Sequence, residues 1–101
     1  MTAHIVYSSI DSKNTATHSP KVINIIRKKI GFKNIIMSDD ISMKSLKYSI
    51  TKNTTQAFNS GCDLVLHCNG KYKEMLIVAK NSPLLSTFII KKTSQLLNII
   101  R

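Results

Sequence analysis

The chemistry this chain could perform is concentrated where apolar runs end in polar side chains. Ile35-Ile36-Met37 runs into Ser38-Asp39-Asp40, and Leu64-Val65-Leu66 runs into His67-Cys68-Asn69. Folds built from parallel strands place their functional groups at such C-terminal strand ends. Adjacent side chains on a strand point to opposite faces, so at most one of Asp39 and Asp40 is expected to face a shared site. The other is expected to bond backbone amides or a neighbouring helix start. An Asp-Asp pair by itself is more often a helix cap or a loop pair. Asp39, Asp40 and His67 could ligate a cation if their strands were neighbours, although nothing in their spacing demands it. Cys62 and Cys68, with five residues between them, match no common zinc spacing and read as buried, inert thiols. The chain's 3 glycines form no phosphate-binding loop. No cofactor and no metal are expected. His4 and His67 read as core or pocket-lining histidines, whereas His18 lies in a polar stretch and is expected to be solvated.

The elements that would position these residues alternate in type. Ala3 to Tyr7 reads as a short apolar strand, and Ser8 to Ser19 as a long polar loop. Ser19-Pro20 is a strong helix start, with a hydroxyl to cap free amides and a ring suited to the first helical position. Val22, Ile23, Ile26 and Ile30 then give one apolar face, and Gly31 can end the helix. Asn34 to Ser38 is the second strand, whose unbroken apolar run suits burial on both faces. Ser42 to Leu46 reads as a helical turn. Ile50 to Asn59 reads as a helix closed by Gly61. Asp63 to Cys68 is the third strand and Asn69-Gly70 a turn. Tyr72 to Lys80 is a helix with Met75, Leu76 and Ala79 inward. Leu84 to Ile100 is a last helix with Leu85, Phe88, Ile89, Leu96 and Ile100 among its apolar positions. Strands alternating with helices predict an α/β fold of about three parallel strands with covering helices.

Length and composition narrow the class. At 101 residues a single domain is the upper bound, with a modest core. No apolar stretch reaches the roughly 18 residues a membrane span needs, and Met1 to Tyr7 carries no secretory pattern. Two cysteines make no disulfide framework, so a cytoplasmic protein is expected. The net charge of +10 invites a nucleic-acid reading. Against it, only Arg27 and Arg101 of the 15 basic residues are arginine, and no basic block is interleaved with aromatics. Enrichment in Ile, Asn and Lys together accounts for the charge, and neither nucleic acid nor membrane is expected as a partner.

Several runs carry a family resemblance. Met1-Thr2-Ala3-His4-Ile5-Val6-Tyr7, Ala16-Thr17-His18-Ser19-Pro20-Lys21-Val22-Ile23, Ile30-Gly31-Phe32, Ile36-Met37-Ser38-Asp39-Asp40-Ile41-Ser42-Met43 and Gly61-Cys62-Asp63-Leu64-Val65-Leu66-His67-Cys68-Asn69-Gly70 resemble, in that order, the family 3 glycoside hydrolases that act as β-N-acetylglucosaminidases. The likeness is collinear over nearly the whole chain and is most specific at Ser38–Met43 and Gly61–Gly70. It implies that residues 1–101 form the C-terminal βα units of a (β/α)₈ catalytic barrel. It implies Asp39 as the nucleophile of a retaining hydrolysis that forms a covalent glycosyl-enzyme. Asp40, His4, His67 and Met43 would support it or line the pocket. The implied substrates are saccharides or peptides carrying N-acetylglucosamine linked to anhydro-N-acetylmuramic acid, and the implied process is peptidoglycan recycling in a bacterial cytoplasm.

The family's other working parts are not found in these runs. Its acid/base is a histidine paired with an aspartate on a mobile loop upstream of the Met1–Tyr7 run, and its sugar-gripping Lys-His pair lies upstream as well. No His-Phe-Pro-Gly-His-Gly run and no Lys-His dipeptide occur here. Such a barrel takes about 250 residues. The chain therefore reads as the nucleophile-bearing part of an enzyme, completed by a separately encoded N-terminal barrel fragment. The alternatives are a catalytically inactive remnant or a self-associating interaction protein and, more remotely, a basic binding module.

Overall fold

In the computed structural model, which describes residues 1–100, Ser19 Oγ accepts the Val22 N–H at 3.2 Å and Pro20 takes the first position of α1 (Pro20–Asn24). The helix runs on as a wider π-type turn over Ile25–Lys29. Gly31 closes it at φ 74°, with the Phe32 N–H returning to the Ile26 carbonyl at 3.0 Å. That is the left-handed termination expected of glycine. Val22 and Ile23 are buried and Ile26 is half-buried, but Ile30 at the end of the predicted apolar face is exposed.

The sheet has two parallel strands, β1 (Met37–Asp40) and β2 (Leu64–Leu66), with Met37 opposite Leu64 and Asp40 opposite Leu66. The predicted first strand, Ala3 to Tyr7, does not form. Only Thr2 reaches the sheet, in a single parallel bridge to Ser38. Its N–H donates to the Met37 carbonyl at 2.7 Å and its carbonyl accepts the Asp39 N–H at 3.2 Å. The reason lies in where the next backbone groups bond. The carbonyls of Ala3 and Ile5 accept the N–H groups of Thr17 and Ala16, so the following loop, and not a neighbouring strand, satisfies them. Ile5, Val6 and Tyr7 are left exposed.

That loop is more ordered than its composition suggests. Asp11 is 7% exposed, and its carboxylate accepts from the backbone N–H groups of Lys13 and Asn14, the Asn14 amide and the Ser19 hydroxyl. A short 3₁₀ turn, Ala16–His18, follows with all three residues buried.

Three further helices follow in order, α2 (Ile50–Ser60), α3 (Tyr72–Asn81) and α4 (Thr87–Ile100). Ser49 Oγ caps α2 by accepting the Lys52 N–H at 3.2 Å. Gly61 ends α2 at φ 115°, and a Cβ there would sit 2.7 Å from Ile23 Cγ2. Only glycine lets α2 end this close to α1. The core formed between them is small: Ile23, Ile36, Ala57 and Cys62, with Ile26 and Val65 against it. Arg27 braces the edge of this core. Its guanidinium donates to Asp63 and to the carbonyls of Phe32 and Asn34, and lies over the Phe32 and Phe88 rings.

The inward face predicted for α3 is not the one observed. Met75, Leu76 and Ala79 are exposed, and Ile77 and Val78 are its half-buried apolar positions. The last helix begins at Thr87, not Leu84, and Leu84 is 97% exposed. Ile89 is its one buried residue; Leu96 and Ile100 are exposed, as is Leu85 before the helix, and Phe88 is partly covered by Arg27. Cys62 is buried as expected, whereas Cys68 is exposed.

Two outcomes follow. Gly61→Ala is expected to lower stability by about 1–2 kcal/mol for the left-handed backbone alone. The clash with Ile23 adds to this, so its melting temperature should fall below that of Gly31→Ala, whose Cβ meets nothing within 4 Å. Hydrogen bonds from Ser19 first, then Asn14 and Lys13, hold the Asp11 carboxyl well below its usual range. A depressed folded pKa gives stability that is full above the unfolded value of about 4 and is lost as pH falls below it. Asp11→Asn should lower stability at pH 7 and flatten the acid-side decline in a denaturant series.

Candidate functional site

The site is built at the C-terminal ends of β1 and β2. The register shifts between Met37 and Asp40, so β1 carries one residue more than β2 over the paired stretch. Such an irregularity re-aims side chains. The hydroxyl of Ser38, fully buried, fills the gap in the ladder by accepting the Leu66 N–H at 3.1 Å.

Beyond Ser38 the two carboxylates diverge, as alternation requires. Asp40 Oδ1 accepts the Ser42 N–H at 3.0 Å, the Ser42 hydroxyl at 2.7 Å and the Cys68 N–H at 3.1 Å. Its backbone carbonyl accepts the Met43 N–H at 3.2 Å and His4 Nε2–H at 2.8 Å. Because a carbonyl can only accept, His4 Nε2 carries a proton. Burial alone would raise the Asp40 pKa, but the hydrogen bonds from Ser42 and Cys68 and the nearby His67 outweigh it and hold the carboxyl below its usual range. Asp40 is therefore an ionised tie between the two strand ends.

Asp39 is placed differently. Its carboxylate accepts one hydrogen bond, from the backbone N–H of Asp40 at 2.8 Å. The chain has 5 acidic residues. Asp11 and Asp40 are held by several donors, Asp63 by Arg27 and the Ile36 N–H, and Glu74 by Asn69 and His67. Among the described residues, Asp39 is the carboxylate left free to act on something else, and it is half-buried at a strand end.

The histidines sort into three settings. His4 Nδ1 lies 2.8 Å from Thr17 Oγ1, which is itself 2.9 Å from Thr2 Oγ1, so a short polar chain leads from the sheet to the Asp40 carbonyl. His67 Nε2–H points at Glu74 Oε1 from 3.3 Å, and its buried Nδ1 has no partner among the described residues. Hydrogen bonds from Asn69 first and then His67 lower the Glu74 pKa. His18 is not solvated. It is 2% exposed and donates from Nε2 to the Asn53 carbonyl at 3.1 Å, and burial pushes its pKa down.

The structure thus gathers Asp39, Asp40, His4 and His67 at one end of the sheet. Met43 joins them through its backbone, while its side chain stands exposed. Among the described residues, no three His, Cys, Asp or Glu side chains are arranged to hold a metal ion. Ser38, Ser42 and Thr17 are site residues that the sequence analysis did not single out. Only Ser42 carried a readable signal, as a hydroxyl two residues after an aspartate in a turn.

The model of the glycosyl hydrolase family 3 N-terminal domain matches residues 1–99. This chain belongs to glycosyl hydrolase family 3. Among its relatives, a β-hexosaminidase of Haemophilus influenzae is 36% identical over 90 residues, covering 82% of this chain and 26% of that protein. A β-hexosaminidase of Vibrio cholerae is 33% identical over 98 residues, covering 91% of this chain and 29% of that protein. The family 3 chain therefore spans between a quarter and a third of the length of these two relatives. The crystal structure of CbsA from Thermotoga neapolitana superposes on the whole chain with a TM-score of 0.81 at 24% identity, using 26% of its own length. That likeness bears out the α/β fold with parallel strands.

The two aspartates should separate in stability measurements. Asp40→Ala removes charge-assisted bonds to two segments and is expected to cost about 1–3 kcal/mol. Ser38→Ala strands the Leu66 N–H and should cost a similar amount. Asp39→Asn should stay within about 0.5 kcal/mol of the parent in urea titrations.

Proposed function

We propose that this family 3 chain is the nucleophile-bearing part of a retaining β-N-acetylhexosaminidase, the C-terminal βα units of its (β/α)₈ barrel. The observation that carries the reading is the free carboxylate of Asp39, next to an Asp40 fixed by Ser42 and Cys68. Asp39 attacks the anomeric carbon of a terminal β-linked N-acetylglucosamine, and the glycosidic bond to the leaving oxygen breaks as the glycosyl-ester forms. Water then opens the ester and regenerates the carboxylate. A general acid must protonate the leaving oxygen in the first step and take a proton from water in the second. That group, by the family resemblance a histidine paired with an aspartate, comes from the barrel portion that this chain does not contain. The substrates are saccharides or peptides with N-acetylglucosamine joined to anhydro-N-acetylmuramic acid, and the setting is peptidoglycan recycling in the cytoplasm.

The partner that completes the site is an N-terminal barrel fragment. The exposed apolar side chains of α3 and α4, Met75, Leu76, Leu96 and Ile99 among them, fit a surface that another part of a barrel would cover. The same exposure supports a second reading, an inactive remnant that associates with copies of itself.

The chain alone should not hydrolyse 4-nitrophenyl N-acetyl-β-D-glucosaminide. Mixing it with the N-terminal barrel portion of a family 3 β-hexosaminidase should produce turnover, and Asp39→Ala should cut that turnover by at least about a thousandfold. Turnover that survives Asp39→Ala would sink the assignment. A folded but inert assembly would favour the remnant.

A further inference from the structure

A cavity opens beside the C-terminal end of β1, between the loop after Tyr7 and the turns after Ile41. All of its walls come from this chain: Lys13, Thr15, Lys47 and Tyr48 line it together with His4 and His18. Its volume is about 180 Å³, below the roughly 300 Å³ at which pockets begin to hold drug-sized ligands. It suits a substituent or a small ion, not a sugar ring.

The charged side chains that line it are of one sign. No acidic side chain lines it. Asp11 and Asp40 keep their negative charge but do not line the cavity, their oxygens being turned to Ser19, Asn14 and Lys13 and to Ser42 and Cys68. The lysines bring positive charge: Lys13 and Lys47 at the rim, and Lys52 with its ammonium 3.9 Å from the centre of the Tyr48 ring. The walls also hold spare hydrogen-bonding capacity. Thr15 Oγ1 is buried without a partner among the described residues. His18, buried among its neighbours, uses only Nε2.

We propose that this cavity binds a small oxyanion, a carboxylate or phosphate group, held by Lys13 and Lys47 and by hydrogen bonds from the cavity wall. The proposal stands apart from the assignment of Asp39 as nucleophile, because it concerns different side chains and needs no turnover. The two regions meet at His4, which lines the cavity and donates to the Asp40 carbonyl. An oxyanion bound here therefore lies one side chain away from the backbone that carries Asp39. It can be a free ion or the acidic substituent of a saccharide.

The test is a two-dimensional NMR titration of the full chain, following backbone amides and the histidine rings. The probes are inorganic phosphate, acetate, N-acetylmuramic acid, and N-acetylglucosamine as the same sugar without the lactyl carboxylate. Saturable shifts confined to His4, His18, Thr15 and Tyr48 are expected with the anions and not with N-acetylglucosamine. K13Q/K47Q should weaken the apparent affinity about tenfold, since each rim charge contributes what an exposed ion pair does. T15V, which keeps the shape and removes the hydroxyl, should weaken it as well. K80Q/K91Q, removing equal charge elsewhere, should leave it unchanged. Tighter binding of N-acetylmuramic acid than of acetate assigns the group to a saccharide; equal binding assigns it to a free ion. Shifts spread over all lysines, equal weakening by both double variants, or an equal response to N-acetylglucosamine would overturn the proposal.

Discussion

The Asp40 carboxylate fixes the geometry on which the rest of the site depends. It joins a turn that follows β1 to an amide that follows β2, and its own carbonyl receives a histidine from the first segment of the chain. Three stretches that never approach one another in sequence are thereby locked at one end of a two-stranded sheet. The locking uses charge-assisted bonds to an ionised group, about twice as strong as neutral ones. Asp39, pointing to the other face of the strand, accepts only the amide between the two residues among the described residues.

This division of labour was legible at Ser38-Asp39-Asp40, because strand alternation alone requires the two side chains to part. The helix boundaries at Ser19-Pro20, Gly31 and Gly61 were legible for equally local reasons, a cap and two left-handed stops. What failed were the readings that depend on what lies alongside. Ala3 to Tyr7 has a strand's composition, but its carbonyls are taken by Ala16 and Thr17. His18 sits in a polar stretch, yet the fold buries it against Asn53 and Tyr48. Ser38 looks like an ordinary strand-end serine, and only the register irregularity gives its hydroxyl the Leu66 amide to receive.

The apolar faces of α3 and α4 were misread for a related reason. Periodicity says that a face is apolar, not that this chain contains what covers it. Met75, Leu76, Leu96 and Ile99 belong to a family architecture several times longer than 101 residues, as the coverage of the β-hexosaminidase relatives shows. The buried core of Ile23, Ile36, Ala57 and Cys62 is what these residues can enclose by themselves.

The long-range bonds of the site and of the core also carry a kinetic consequence. Asp40 to Cys68 spans 28 positions along the chain, His4 to Asp40 spans 36, Arg27 to Asp63 spans 36 and Ser60 to Thr17 spans 43. Each closes a long loop whose entropy is lost before the bond repays it. Helices such as α2 can form locally and early, whereas the ends of β1 and β2 must wait for distant segments to arrive. The free carboxylate of Asp39 is in this sense a late product of folding, given its surroundings only when the most widely separated parts of the chain have met.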